Sequence, residues 1–236
     1  MMEVATPPPS NDAETDSLVE LGWRGSALTF GFPTSAAQFT GYSDGEPFSN
    51  FEGLNVSQQM AVRAIFASVS TFTNLTFTEL TGAQAGSAVL RFGMTDGTEV
   101  AHSYLPSPSE KGGDSWFNNT GGKFDSPIPG NYAHMSFLHE IGHALGLAHP
   151  HESTPAMPSV RDHISYTVMS YRSYEGASTG YVNDVFPRTY MIEDIAALQY
   201  LYGANFTHNA GDSSYRWDQV TGEVSINGVG EGAAGR

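Results

Sequence analysis

Residues 139 to 149 of this chain read HEIGHALGLAH, and the interpretation of the whole sequence starts from this stretch. If the stretch is helical, His139 and His143 lie one turn apart on the same face, so both imidazoles can reach one metal ion. Glu140 projects beside the pair, where a carboxylate can accept a proton from a metal-bound water. The spacing therefore predicts a zinc half-site with a candidate general base.

A third histidine, His149, completes the set if the chain turns sharply after the helix. Gly146 lies one turn after His143, and glycine tolerates such a turn because it has no Cβ to clash at positive φ. Three neutral histidine ligands leave the fourth position of a tetrahedral zinc open, which is typical of a catalytic site. The competing interpretation is a helix whose histidines are solvated or bonded to carbonyls, and the full string makes it the weaker one.

A second motif follows at residues 167 to 171, which read TVMSY. Taken alone, it indicates an ordinary strand or turn with a core methionine. Together with the first stretch it resembles the metzincin pattern, H-E-x-x-H-x-x-G-x-x-H followed by a Met-turn. The resemblance implies that Met169 forms an apolar floor under the three histidines. In two metzincin groups, the serralysins and the astacins, a matching tyrosine approaches the metal, which implies that Tyr171 is an additional zinc ligand at rest and a hydrogen-bond donor to the oxyanion in the reaction. The alternative is a core or rim tyrosine whose hydroxyl bonds the backbone.

Within the metzincins, the sequence resembles the serralysins, which are secreted bacterial endopeptidases. The segments that carry this resemblance, besides the zinc motif, are residues 26–33 (SALTFGFP), 75–79 (LTFTE), 113–118 (GDSWFN), 168–171 (VMSY) and 194–205 (DIAALQYLYGAN). The resemblance implies an α+β, zincin-like metzincin fold. Its parts would be a twisted, mostly parallel five-stranded sheet with an antiparallel edge strand, an active-site helix, the Met-turn and a C-terminal helix.

The function that the resemblance implies is zinc-dependent cleavage of peptide bonds in extracellular proteins. Glu140 would activate a zinc-bound water for attack on the scissile carbonyl. The alternative is a catalytically silent, zinc-binding extracellular or surface-associated module. Glu140 argues against that alternative, because a structural zinc site has no use for a base.

The chain divides into three predicted parts. Residues 1–22 are rich in Pro, Ser, Asp and Glu, which indicates a mobile N-terminal leader or pro-segment; in relatives this region is a pro-segment or an arm laid over the domain. Residues 23–205 form the predicted catalytic domain. Residues 206–236 show no strong period and read as a tail or linker towards an absent β-roll. Calcium is expected only if such a roll of G-G-x-G-x-D repeats exists in a longer protein.

The predicted elements follow from hydrophobic periodicity. Strands are expected at residues 26–32, 75–80, 88–94 and 115–118, and a helix is expected after Asn55, which forms a capping pattern with Gln58. Residues 100–105, ended by Pro106, form a plausible edge strand. In metzincins this strand pairs with the bound substrate, so the resemblance assigns peptide binding to four residues: Ala101, His102, Ser103 and Tyr104. We expect His102 to be a surface or packing residue rather than a ligand.

The zinc helix is expected to start after a cap at Asn131 and to bury the face that carries Met135, Leu138 and Leu145. A last helix covers residues 191–202 and ends at Gly203. In the family, the aspartate that matches Asp194 buries its carboxylate beneath the Met-turn, which implies structural support.

Several polar residues near the motifs receive no catalytic role. Glu193 has none, and Arg161, Asp162 and Arg172 are assigned to surface pairs or to the cleft rim. Histidines 151 and 163 are treated as loop residues, since three histidines already complete the protein's share of the metal site.

Composition limits the partners. The chain has 236 residues, a net charge of −15 and no cysteine. The acidic balance argues against nucleic acids and anionic membranes, and the lack of cysteine excludes thiolate ligands and a cysteine latch on the metal. No membrane span and no ordinary signal peptide are visible, which alone would suggest the cytoplasm. The resemblance instead implies secretion without an N-terminal signal, protein or peptide substrates, an inhibitor protein as a further partner, and a monomer.

Overall fold

The computed structural model describes residues 2–182 and 185–233. In chain order, its strands and α-helices are β1 (Val4–Ala5), α1 (Ala13–Leu18), β2 (Gly22–Trp23), β3 (Ala27–Gly31), α2 (Val56–Phe72), β4 (Thr76–Leu80), β5 (Leu90–Thr95), β6 (Ala101–Ser103), β7 (Ser115–Asn118), α3 (Tyr132–Ala144), α4 (Ile192–Tyr202), β8 (Tyr215–Trp217), β9 (Glu223–Ile226) and β10 (Val229–Ala233). Short 3-10 helices lie at Ala36–Gln38, Glu46–Phe48, Gly82–Ser87 and Thr120–Gly122.

The central sheet has five strands in the order β4-β3-β5-β7-β6. The first three pairs are parallel, and β6 runs antiparallel to β7 at the edge. The predicted mixed α+β architecture with a mostly parallel five-stranded sheet is therefore confirmed. The edge strand covers only residues 101 to 103 of the predicted segment 100 to 105, although backbone hydrogen bonds to β7 and the residues before it continue at Val100 and Tyr104.

Helix α2 covers one side of this sheet. It begins with a reciprocal cap in which Asn55 Oδ1 accepts from the Gln58 backbone N–H at 3.0 Å, and the Gln58 side chain accepts from the Asn55 N–H at 2.7 Å. Phe66 of α2 stacks on Phe77 of β4 with ring centroids 4.2 Å apart. The capping pattern and the apolar period of this helix were readable from the sequence.

Helix α3 carries the zinc motif and packs beside the other end of the sheet. Its cap is Asn131, whose side chain accepts from the His134 N–H at 2.8 Å, as predicted. Phe137 stacks on Phe117 of β7 with centroids 4.0 Å apart. This apolar contact fixes the rotation of α3, so that the opposite face of the helix turns towards β6 and the cleft.

Residues 2–22 form an arm on the rest of the domain. Strand β1 pairs with β2, and Leu18 at the end of α1 has no exposed surface. The Leu18 carbonyl accepts from the Ala148 N–H at 2.7 Å, and the Glu20 N–H donates to the Gly146 carbonyl at 3.1 Å. These contacts place residues 2–22, called the arm here, against β2 and the loop between Gly146 and Ala148.

The chain leaves the domain after α4. Asn205 is tied to the end of α2 by a hydrogen bond of 3.1 Å from its N–H to the Phe72 carbonyl. Strands β8, β9 and β10 then form a separate three-stranded antiparallel sheet. The sequence interpretation missed these strands, although Asn227 and Gly228 both have positive φ between β9 and β10. Asn-Gly flanked by strand residues is a strong hairpin signal.

Candidate metal centre

Three histidine nitrogens converge at the start of the cleft. His139 and His143 lie on α3, and His149 follows the helix on a loop. Their Nε2 atoms are 3.1 Å (139 to 143), 3.0 Å (143 to 149) and 3.1 Å (139 to 149) apart. Within the described part of the chain, these three residues form one of two groups that could hold a metal ion.

The far nitrogen of each ring is bonded away from this centre. His139 Nδ1 lies 2.8 Å from the Val168 carbonyl, and His143 Nδ1 lies 2.7 Å from the Leu147 carbonyl. His149 Nδ1 lies 2.8 Å from a carboxylate oxygen of Glu152. All three partners are acceptors, so each Nδ1 carries the proton in the neutral ring and each Nε2 points a lone pair at the centre.

The chemistry of this donor set fits zinc. Burial lowers the pKa of His139 to about 4 and lowers the pKa of His143 well below its ordinary value, so both rings are neutral at pH 7. Three lone pairs at this separation repel one another unless a cation lies between them. Zinc–nitrogen bonds of about 2.0–2.1 Å at tetrahedral angles place two nitrogens bound to the same zinc ion about 3.3–3.4 Å apart. The observed spacing is slightly tighter than that.

The turn that returns His149 depends on Gly146. Its φ is +104°, and a Cβ on this residue would overlap the carbonyl oxygen of Leu21 in the arm. The Leu147 N–H bonds the Gly142 carbonyl at 2.9 Å as the helix closes. Glycine is therefore required here by backbone conformation and by the close approach of the arm.

Glu140 lies beside the nitrogens with an unsatisfied oxygen. The residue is 5% exposed, and its Oε2 is buried without a hydrogen-bond partner among the described residues. Burial raises the pKa of Glu140 to about 8, against a smaller lowering by the Ser103 hydroxyl. A buried, unpaired carboxyl is costly for the fold, and such groups cluster at functional sites.

Residues 167 to 171, the proposed Met-turn, pack against α3. Met169 is fully buried, and its sulfur fills the space where a Cβ on Gly142 would lie, at 2.7 Å. Gly142 was not singled out from the sequence. The signal was present, since an interior helix glycine costs about 1 kcal/mol relative to alanine and so indicates close packing.

The Asp194 carboxylate is hydrogen-bonded to the first two residues of the segment 167 to 171. Its carboxylate accepts from the Thr167 hydroxyl at 2.6 Å and from the N–H groups of Val168 and Met191 at 2.9 and 2.8 Å. The Val168 carbonyl in turn bonds His139 Nδ1. The aspartate is thus connected to His139 through the backbone of one residue, Val168.

The Tyr171 side chain lies close to the three histidine nitrogens. Its hydroxyl lies 2.8 Å from His149 Nε2, and its ring is nearly parallel to His139. Burial raises the pKa of Tyr171 to about 12, with the nearby carboxylate of Glu140 the next cause. The phenol is therefore protonated at neutral pH and can donate a hydrogen bond.

A cleft of about 660 Å³ runs past these residues. Ala101, His102 and Ser103 of β6 line it, whereas Tyr104 does not and bonds Glu46 instead, at 2.7 Å. His102 also bonds Glu46, with Nε2 to Oε1 at 2.8 Å, and does not join the three histidines. The strand therefore borders the cleft through three of the four predicted residues.

Comparison with known proteins adds sequence relationships to this geometry. The chain is 34% identical to Serralysin C of Dickeya chrysanthemi over 82% of its length, and 33% identical to Serralysin A of the same organism over 85%. It is also 34% identical to Metallopeptidase AprA of Pseudomonas marginalis over 83%. By sequence, this chain is a homologue of the serralysins. No protein-family model matches it.

The relatives are much longer than this chain. It spans 42 to 45% of the length of the serralysins and the metallopeptidase named above. In the described part of the chain, no helix is long and apolar enough to cross a membrane.

Two ion pairs brace the segment after the third histidine of this serralysin homologue. Arg172 bonds Asp162 at 3.0 Å, and Arg161 bonds Glu193 at 2.6 Å. Both carboxylates are buried, and Asp162 also accepts from the Ser170 hydroxyl at 2.6 Å. The assignment of Asp162 to a surface pair or to the cleft rim was wrong in its burial, whereas Glu193, which was given no catalytic role, forms a structural ion pair. The sequence does not reveal the burial of a carboxylate whose partner lies 10 or more residues away.

The extra histidines lie apart from the three converging nitrogens. His151 stacks on His149 with centroids 5.5 Å apart, and His163 packs against Tyr166. A second group of potential ligands consists of His149, His151 and Glu152. It shares His149 with the first group, and the hydrogen bond to Glu152 already occupies the free nitrogen of that ring.

Proposed function

We propose that this chain is a zinc-dependent endopeptidase of metzincin fold that hydrolyses peptide bonds of extracellular proteins. The observation that carries the proposal is the convergence of three histidine Nε2 atoms beside a buried oxygen of the Glu140 carboxyl group that has no hydrogen-bond partner. Residues 23–205 are the proposed catalytic domain. Homology to serralysins over more than four fifths of the chain supports the same reaction class.

His139, His143 and His149 would hold the zinc ion, which supplies a Lewis acid and lowers the pKa of a bound water. Glu140 takes a proton from the attacking water and delivers it to the leaving amine nitrogen. Its pKa, raised by burial, makes it a stronger base than an exposed glutamate. The three hydrogen bonds at the Nδ1 atoms keep the rings in the required tautomer throughout.

An extended peptide substrate would add to the free edge of β6. The Asn118 N–H bonds the Val100 carbonyl, and the Tyr104 N–H bonds the Asp114 carbonyl. Because neighbouring residues of a strand direct their backbone groups to opposite edges, Ala101 and Ser103 direct theirs towards the cleft. These groups are the proposed partners of the substrate backbone.

The remaining site residues support the reaction. We assign Tyr171 the role of an additional ligand at rest and of a donor to the developing oxyanion, and Met169 that of the apolar floor. Asp194 would fix the Met-turn, and Gly146 would allow His149 to return. Export to the extracellular medium and a monomeric state belong to the same proposal, with calcium entering only through a C-terminal β-roll. A proteinaceous inhibitor would be a second partner besides the substrate.

The deciding experiment measures degradation of unfolded casein. We expect activity that a chelator abolishes and zinc restores. Glu140→Gln should retain one zinc, because Glu140 is not a ligand, and should lose about 10²–10⁴-fold in rate. His149→Ala is the matched comparison and should lower zinc occupancy itself. Zinc-loaded wild-type protein that leaves casein and a peptide library intact would favour the alternative, a catalytically silent zinc-binding module.

A further inference from the structure

The three histidines differ in what their Nδ1 atoms bond. His139 and His143 use backbone carbonyls, which are neutral acceptors, whereas His149 uses the carboxylate of Glu152 at 2.8 Å. Hydrogen bonds to an ionised acceptor are about twice as strong as neutral ones. Of the three histidines, His149 alone has an imidazole that is hydrogen-bonded to a carboxylate, and this bond is the stronger kind.

His149 also differs in its support. The backbone of α3 fixes the positions of His139 and His143, but His149 lies on the loop beyond the helix. A tight turn brings Glu152 beneath the ring, with the Glu152 N–H donating to the His149 carbonyl at 3.1 Å. The Ser153 hydroxyl donates to the same carbonyl at 3.2 Å. The segment 149 to 153 thus places its own carboxylate behind its own ligand.

We propose that Glu152 is a positioning residue for zinc ligand His149. Its carboxylate orients the imidazole, holds the proton on Nδ1 and increases the electron density at Nε2, so that the protein binds zinc more tightly. The inference rests on the proposed zinc function and gives a role to a residue that the sequence interpretation left with none. The sequence places Glu152 three residues after the last histidine, but only the structure shows its turn.

Solvent limits the size of this effect. The Glu152 side chain is 65% exposed, so water competes with His149 for the carboxylate. Removal of such an outer partner typically costs about 10–100-fold in metal affinity. For an exposed partner we expect the lower end of that range, about tenfold for Glu152→Gln. Glu152→Ala should lower the affinity for zinc more than Glu152→Gln does, because alanine also removes the hydrogen-bond acceptor that glutamine keeps.

The test measures zinc affinity by competition with a chromogenic chelator, together with ¹⁵N NMR of the histidine rings in the zinc-loaded protein. Glu20→Gln is the matched control. Glu20 lines the same cleft and carries the same charge, but its side chain is not bonded to any of the three histidines. We expect Glu20→Gln to stay within about twofold of wild type in zinc dissociation constant, since exposed charges at a distance are screened. The His149 Nδ1–H resonance should shift in Glu152→Gln and stay in place in Glu20→Gln.

The outcomes separate this inference from the zinc function itself. If wild-type protein binds no zinc, the proposed function fails. If wild type binds zinc and Glu152→Gln matches it in affinity and in the His149 resonance, only the positioning role fails. Equal weakening by Glu20→Gln would assign the effect to net charge and overturn the proposal. A lower melting temperature of zinc-free Glu152→Gln than of zinc-free wild type would assign Glu152 to the loop fold and overturn it as well.

Discussion

The hydroxyl of Tyr171 lies 2.8 Å from the Nε2 of His149, close to the point where the three lone pairs meet. A raised pKa keeps that hydroxyl protonated. Its position beside the three histidine nitrogens, rather than along the β6 edge, suits the proposed interaction with the carbonyl oxygen as charge develops there. A donor used in this way acts in the transition state and contributes little to the binding of the substrate.

Tyr171→Phe is expected to lower kcat about 10²–10³-fold, which corresponds to roughly 2.7–4 kcal/mol for a lost oxyanion donor. KM and zinc content should stay nearly unchanged. Steady-state kinetics on a quenched-fluorescence peptide would measure both constants. Tyr174→Phe is the control, because that tyrosine is three residues further along and half exposed. Unchanged turnover would remove the role, whereas a raised KM with intact kcat would make Tyr171 a substrate-binding residue only.

At this scale the sequence predicts ligands better than their partners. His139, Glu140 and Tyr171 have diagnostic side chains at fixed spacings, and the structure brings them together. Gly142 and Glu152 act through a packing contact and a hydrogen bond. The sequence could suggest Gly142 through its poor helix propensity. The sequence does not reveal the turn that brings Glu152 to His149, and only the structure shows it.

At the scale of elements, residues 2–22 are predicted from their composition to be a mobile leader or pro-segment, and in the structure they form an arm that contacts the loop after α3. Its composition is polar, which indicates disorder when counted over the whole segment. Few residues attach the arm to the rest of the protein. Leu18 is fully buried, and the backbone groups of Leu18 and Glu20 bond the loop between Gly146 and Ala148. Composition averages over such isolated anchors and therefore missed them.

Leu18→Ala tests whether the arm belongs to the fold. A fully buried leucine that is truncated to alanine costs about 2–5 kcal/mol, so the denaturant midpoint should fall clearly. Met60→Ala on α2 is the control, because Met60 is largely exposed and surface substitutions stay within about 0.5 kcal/mol. Equal stability of the two variants would mean that the arm is dispensable. Loss of zinc affinity in Leu18→Ala would follow if the arm also fixes the loop of His149.

The elements of the central sheet and of α2 and α3 were largely predictable because they carry many of the buried apolar side chains of the core. The sheet formed by β8, β9 and β10 was not predicted, since each strand has five or fewer residues and neither β8 nor β9 has a buried residue. Short strands without a buried face leave no period to read. The Asn227-Gly228 turn was the one available signal.

At the scale of the whole molecule, residues 206–233 follow the proposed catalytic domain of residues 23–205 and are called the tail here. The chain is tied down at Asn205 by bonds to Ser70 and Phe72, and Phe206 next to it is 86% exposed. Residues 206 to 212 are all exposed and contain no strand or helix. The exposed side chains of β8 show that the tail buries little apolar surface of its own. Such a segment opens at low free-energy cost, which makes it the preferred site of proteolytic cleavage.

Limited digestion of Glu140→Gln with chymotrypsin should therefore make its first cut after Phe206. The variant is chosen so that the chain's own proposed activity does not contribute to the cleavage. Mass spectrometry should find a fragment that ends at residue 206 and retains zinc, because the three histidines and the bonds of the arm all lie before the cut. In a Phe206→Ala background that fragment should form more slowly, while later cuts elsewhere keep their rates. A first cut within residues 2–22 would show that the arm is less stable than the tail, and protection of residues 206–233 would show that the tail is packed as tightly as the domain.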